Sequence, residues 1–147
     1  MTAALLFLVG LAAGVLVWLG LGALPRRIRA LDAIRALAEA RGARVVGTGA
    51  GEPVRVVGSV GARAFTLLYE AHWLHGDVLL LAVDCASSAA GPHTHGDLVA
   101  EASDEALAVR MLQPPADVWG RLDRVLDALV ELASDLERDR PGEPGEP

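Results

Sequence analysis

The chain has 147 residues, of which 52% are hydrophobic and 22% charged, with a net charge of −6. One cysteine, Cys85, excludes an intramolecular disulfide framework and any paired-cysteine metal or redox motif. The acidic balance excludes a general nucleic-acid binder, which needs a basic face to neutralise phosphates.

The apolar residues are concentrated at the start. Residues 3–24 carry no charge, and at about 1.5 Å of rise per residue they reach roughly 33 Å as a helix, enough for a hydrocarbon core of about 30 Å. Arg26, Arg27 and Arg29 follow at once. Residues 1–25 therefore read as a single transmembrane anchor with the lipid bilayer as its first partner. The positive-inside rule places the N-terminus outside and the C-terminal domain in the cytoplasm, at the cell membrane. A cleaved signal peptide would carry its basic residues before the apolar run, whereas here they come after it. Gly10 and Gly14 form a GxxxG pair, a spacing that lets two helices approach closely in lipid and so suits a homodimer or another membrane protein.

Residues 26–42 predict an amphipathic juxtamembrane helix. Leu31, Ile34, Leu37 and Ala38 fall on one side, Arg29, Asp32, Arg35 and Glu39 on the other, and Gly42 supplies the stop. Arg26, Arg27 and Arg29 are the candidates for contact with an anionic membrane surface. The competing reading packs the Leu/Ile side onto the sheet that follows.

From residue 43 the period changes. Short β-branched runs at 43–48, 53–59 and 62–71 predict strands, with Gly61 as the left-handed residue of a three-residue hairpin. Residues 78–83 are a continuous apolar run suited to a buried central strand, and 97–102 offer a fifth. The short connections favour an antiparallel meander. Ser103 then reads as the cap of a short helix to about residue 112, and Asp117 as the cap of a long one to about residue 140. The long helix carries an apolar stripe too wide for a two-stranded zipper, so it is expected to lie on its own sheet. Residues 141–147, rich in proline and glycine, form a polar tail with too little apolar surface to fold.

The expected fold is thus α+β. A single transmembrane helix and an amphipathic linker helix lead into a sheet of four to five antiparallel strands packed by two C-terminal helices. Residues 43–140 make the cytoplasmic domain.

Candidates for chemistry are few. The glycines of 47–51 are followed by another strand pattern rather than a helix, so they read as a turn and not a phosphate cradle. Of the four histidines, His72 and His75 precede the strand near 77–85, while His93 and His95 follow it in a predicted loop. A nine-residue strand separates its ends by about 30 Å, so the two pairs do not share one ion. His93, His95 and Cys85 carry the alternative reading of a metal-binding or thiol-based enzyme or sensor. Asp123, Asp127 and Glu131 recur on the last helix and read as a solvated face. Trp73 and Leu74 fall at a predicted hairpin tip, where an exposed apolar pair suits a partner contact. No catalytic motif or cofactor-binding pattern stands out. The sequence favours a non-enzymatic, membrane-anchored interaction or accessory module.

Overall fold

The computed structural model describes residues 2–47, 51–72, 76–86 and 90–139. It begins with one helix, α1 (Thr2–Ala40), where two were expected. Pro25 lies inside it. A proline lacks the N–H that would reach the carbonyl four residues back, but strong helix formers flank it on both sides and carry the helix through. At about 1.5 Å per residue α1 is roughly 58 Å long. Its two parts have different surroundings. The side chains of Leu6, Phe7, Leu11, Leu16, Trp18 and Leu21 are exposed, and none of the most apolar 18-residue window, of mean hydropathy 2.3, is buried against the chain. Further along, Ala30, Ile34, Leu37 and Ala38 are buried. They follow at i, i+4, i+7 and i+8, one side of a 3.6-residue period. The Leu/Ile side of residues 26–42 therefore belongs to the core of the domain.

The end of α1 is locked by a Schellman motif. Gly42, at φ +60°, donates its N–H to Glu39 O (3.2 Å), and Ala43 donates to Ala38 O (2.8 Å).

Seven strands follow: β1 (Arg44–Val46), β2 (Val54–Val60), β3 (Arg63–His72), β4 (Gly76–Asp84), β5 (Gly91–His95), β6 (Leu98–Ala102) and β7 (Ala106–Leu112). They form one sheet in the order β1-β2-β3-β4-β7-β6-β5, antiparallel throughout. The first four strands make the expected meander. The chain then crosses to the far edge, and β5, β6 and β7 return as a second meander that sets β7 beside β4. The β2–β3 turn has two residues, Gly61 and Ala62, rather than the expected three, with Gly61 at φ +61°.

Two segments correct the sequence reading. Residues 103–112 are not a helix. Ser103 closes a tight turn, its N–H donating to Ala106 O (2.8 Å) and its hydroxyl accepting from Ala106 N–H (3.2 Å). The chain then enters β7, where Leu107 and Val109 point into the core and Arg110 and Leu112 point out. Alanine, leucine and methionine favour helix locally, but pairing of all seven residues of β7 with β4 outweighs that preference. His93 and His95 also lie on a strand, β5, rather than in a loop. The sheet thus has seven strands where four to five were expected. The C-terminal pair of helices reduces to a 3-10 turn (Trp119–Arg121) running into α2 (Leu122–Arg138).

One face of the sheet is covered. Val56, Phe65, Leu67, Tyr69, Leu79, Leu81 and Leu107 pack beneath the C-terminal part of α1, Trp119, and the Leu122, Leu126, Leu129 and Leu132 side of α2. The opposite face alternates out of phase with it, as a pleat requires. Across it run the rows Arg55, Leu68, Leu80, Arg110 and Val57, Thr66, Ala82, Ala108. Among the described residues, no helix lies over this face.

Candidate functional site

A cavity of about 510 Å3 lies where α1 leaves its exposed apolar part and joins the domain. Ala23, Arg26, Arg27 and Arg29 of α1 form one wall. His72, Gly76 and Asp77, at the ends of β3 and β4, form another. Gln113–Ala116, just after β7, and Trp119 complete it. Ala23, Arg26 and Arg27 stand at i, i+3 and i+4, so the helix turns all three the same way.

Arg26 and Arg29 are exposed, but Arg27 is drawn inward. Its Nε lies 3.8 Å from Asp77 Oδ1 and is buried without a hydrogen-bond partner. Asp77 accepts a hydrogen bond from the Tyr69 hydroxyl (2.9 Å), and its backbone carbonyl accepts from Gln113 N–H (2.7 Å). Burial, and then donation to Asp77, push the Tyr69 phenol well above its ordinary range. The Tyr69 ring meets Trp119 edge to face, with centroids 5.5 Å apart. Gln113 has φ +50°, the one non-glycine residue with positive φ among those described, and it lies against Gly76. Gly76 has φ +79°, in the left-handed region, and a Cβ there would also stand 2.5 Å from Gln113 Cγ, so the position favours glycine.

The arginines were legible in the sequence as a basic collar, but Asp77, Tyr69 and Gln113 were not. Their convergence depends on β3 pairing with β4, which brings Tyr69 to Asp77, and on β7 pairing with β4, which brings Gln113 there.

A second hollow, of about 450 Å3, lies at the other end of β4. Arg63 makes a forked pair with Glu137 (2.8 and 2.6 Å) and also donates to Asp84 O (3.0 Å). Glu137 further accepts from Ala86 N–H (2.9 Å). Beside them Cys85 is buried, its Sγ 3.7 Å from Ala133 O. Burial, reinforced by the Glu137 charge, pushes the thiol above its ordinary range. A thiol so placed is a poor nucleophile, because the thiolate is the reactive form.

Cys85 and the pair His93 and His95 do not converge. Cys85 follows β4, whereas the histidines sit on β5 with β7 and β6 in between. His95 Nε2 instead lies 3.6 Å from Glu131 on α2. Among the described residues, no group of three or more His, Cys, Asp and Glu is placed to hold a metal ion. Asp123 and Asp127 both grip Arg41 just past the end of α1 (2.7 Å each). They tie α2 to the C-terminal end of α1 while staying largely exposed.

Gly10 and Gly14 lie on the exposed part of α1, with open space at both α-carbons. Trp73 and Leu74 lie outside the described residues. Compared with protein-family models, curated proteins and solved structures, the chain has no significant match.

Proposed function

We propose that the chain is a single-pass membrane protein with its N-terminus outside and its α+β domain in the cytoplasm, acting as a non-enzymatic interaction or accessory module. The observation that carries this reading is the divided character of α1. One uninterrupted helix has an uncovered apolar half and a half built into the domain core. An arginine collar lies between them. A helix of this kind fixes the height and orientation of the domain against the bilayer, which suits a protein that presents a surface to membrane neighbours. Gly10 and Gly14 offer a contact within the bilayer, with a second copy or another spanning helix.

The uncovered sheet face is the surface presented to a protein partner. Its row of Leu68 and Leu80 between Arg55 and Arg110 suits an apolar segment flanked by carboxylates. The thiol and histidine alternative receives no support from the geometry, since Cys85 is sealed and distant in the sheet from His93 and His95.

Leu80→Glu on the open face should leave the melting temperature within a few degrees of the parent, because the position is only half-buried. It should abolish co-purification, in mild detergent, of the partners that the parent chain retains. An unchanged set of partners contradicts the proposed surface. Stoichiometric metal in protein purified without a histidine tag contradicts the non-enzymatic, metal-free reading.

A further inference from the structure

We infer that the cavity at the root of α1 binds the phosphate of an anionic ligand, and that its position favours an anionic phospholipid headgroup as the source. The preference for lipid rests on the membrane-anchored reading; the phosphate site itself does not.

Two independent irregularities meet in this cavity. Arg27 Nε is the one buried side-chain nitrogen or oxygen, among the described residues, without a hydrogen-bond partner. A buried guanidinium donor left unpaired is costly, and its Asp77 neighbour at 3.8 Å is too far for a hydrogen bond. Gln113 is the one non-glycine residue in the left-handed region among those described, and its N–H is bonded to Asp77 O there. Strained backbone of this kind persists where the surrounding structure over-determines it, and it concentrates at ligand sites. Neither residue is among the buried apolar side chains that pack the sheet against α1 and α2.

The chemistry of the lining selects the ligand. Three arginines face one carboxylate, Asp77, whose Oδ2 is already bonded to Tyr69. The local balance is therefore positive in an otherwise acidic domain. The Arg27 Nε is sealed, but its side chain is 26% exposed at the cavity wall, and a guanidinium whose outer nitrogens meet the cavity is the group best matched to phosphate oxygens. A volume of about 510 Å3 accommodates a headgroup and excludes a folded protein. Ala23 and Arg26 bracket the end of the apolar run at Leu24, so the cavity lies at the depth where lipid phosphates lie.

The test uses the full-length chain in dodecyl maltoside. Its melting temperature is followed against dioctanoyl phosphatidylglycerol, inorganic phosphate and dioctanoylglycerol, which lacks phosphate. Saturable stabilisation by the phospholipid or by phosphate, with none from dioctanoylglycerol, is the expected result. A phospholipid response at concentrations at least about tenfold below those of phosphate identifies the lipid as the source, and comparable responses identify a soluble phosphate ester. Arg27→Gln should weaken the response about tenfold or more, whereas Arg29→Gln, at an exposed position, should weaken it only about two- to threefold. Arg27→Lys keeps a cation opposite Asp77 if the glutamine variant fails to fold, and it should also bind about tenfold more weakly because the planar fork is lost.

Three results overturn the site: no shift with either phosphate compound, equal stabilisation by dioctanoylglycerol, or equal losses at Arg27 and Arg29, which would indicate a diffuse basic collar. Because the phosphate arm needs no bilayer, its outcome is independent of whether α1 spans a membrane.

Discussion

Ile34→Ala is expected to destabilise the domain by about 2–5 kcal/mol, the usual cost of truncating a fully buried aliphatic side chain. Ile28→Ala, six residues earlier and 51% exposed, is expected to change stability by less than about 0.5 kcal/mol. Urea unfolding of the full-length chain in detergent, followed by circular dichroism, gives both values. The Ile34→Ala midpoint should fall with little change in slope, because the surface exposed on unfolding stays nearly the same. The contrast separates two views of residues 26–42. A helix resting on the lipid surface would tolerate either change. A helix that closes the core is sensitive at Ile34, Leu37 and Ala38 and indifferent on its outer side. Equal and small effects at both positions would contradict the packing described above.

Stability is also expected to fall steeply in alkaline solution, beginning near pH 9. Burial raises the Cys85 thiol above its reference value of 9.0, and burial with the Asp77 hydrogen bond raises the Tyr69 phenol above 10.0. The sign follows from proton counting. Above pH 9.0 the unfolded chain loses the Cys85 proton while the folded chain keeps it, so the unfolded state binds fewer protons and is favoured as pH rises. Each group contributes a loss of up to about 1.4 kcal/mol per pH unit, Cys85 from about pH 9 and Tyr69 from about pH 10. Below those values both contributions are fully present. Hydrogen bonds to their carboxylate partners raise Arg41 and Arg63 above the ordinary guanidinium range, so they stay charged here and do not mask the effect. Cys85→Ala should delay the onset by about one pH unit. A flat stability profile from pH 8 to pH 11 would contradict the burial of both groups.

The parts of the fold legible in the sequence are those set by local period. The buried line through Ile34, Leu37 and Ala38, the stop at Gly42 and the central apolar strand β4 each depend on residues a few positions apart. Residues 103–112 misled for a definite reason. Ala106, Leu107 and Met111 are strong helix formers, and Ser103 suits a helix cap as well as it suits the turn it makes. The deciding partner, β4, is more than twenty residues distant and is reached only after the chain has crossed to the other edge of the sheet. The same crossing separates Cys85 from His93 and His95, which sequence proximity had grouped.

The cavity shows the same division. Its arginines were visible as a charge run, while the environment that turns Arg27 toward Asp77 depends on β3, β4 and β7 meeting under α1. The charge balance acquires a spatial meaning from this arrangement. Residues 26–44 hold six arginines against Asp32 and Glu39, whereas the rest of the domain is acidic. The basic stretch is the part of α1 that joins its exposed apolar half to the core.

The proposed topology is tested most directly by the accessibility of each end of the chain from outside the cell. Thr2→Cys and Val99→Cys would be introduced separately and treated in intact cells with a membrane-impermeant maleimide. The native Cys85 is 1% exposed and stays silent, whereas Val99 is 61% exposed on β6. With the N-terminus outside and the domain inside, Thr2→Cys is labelled in intact cells and Val99→Cys only after permeabilisation. Labelling of Val99→Cys in intact cells, or recovery of the chain in the soluble fraction, would contradict this topology.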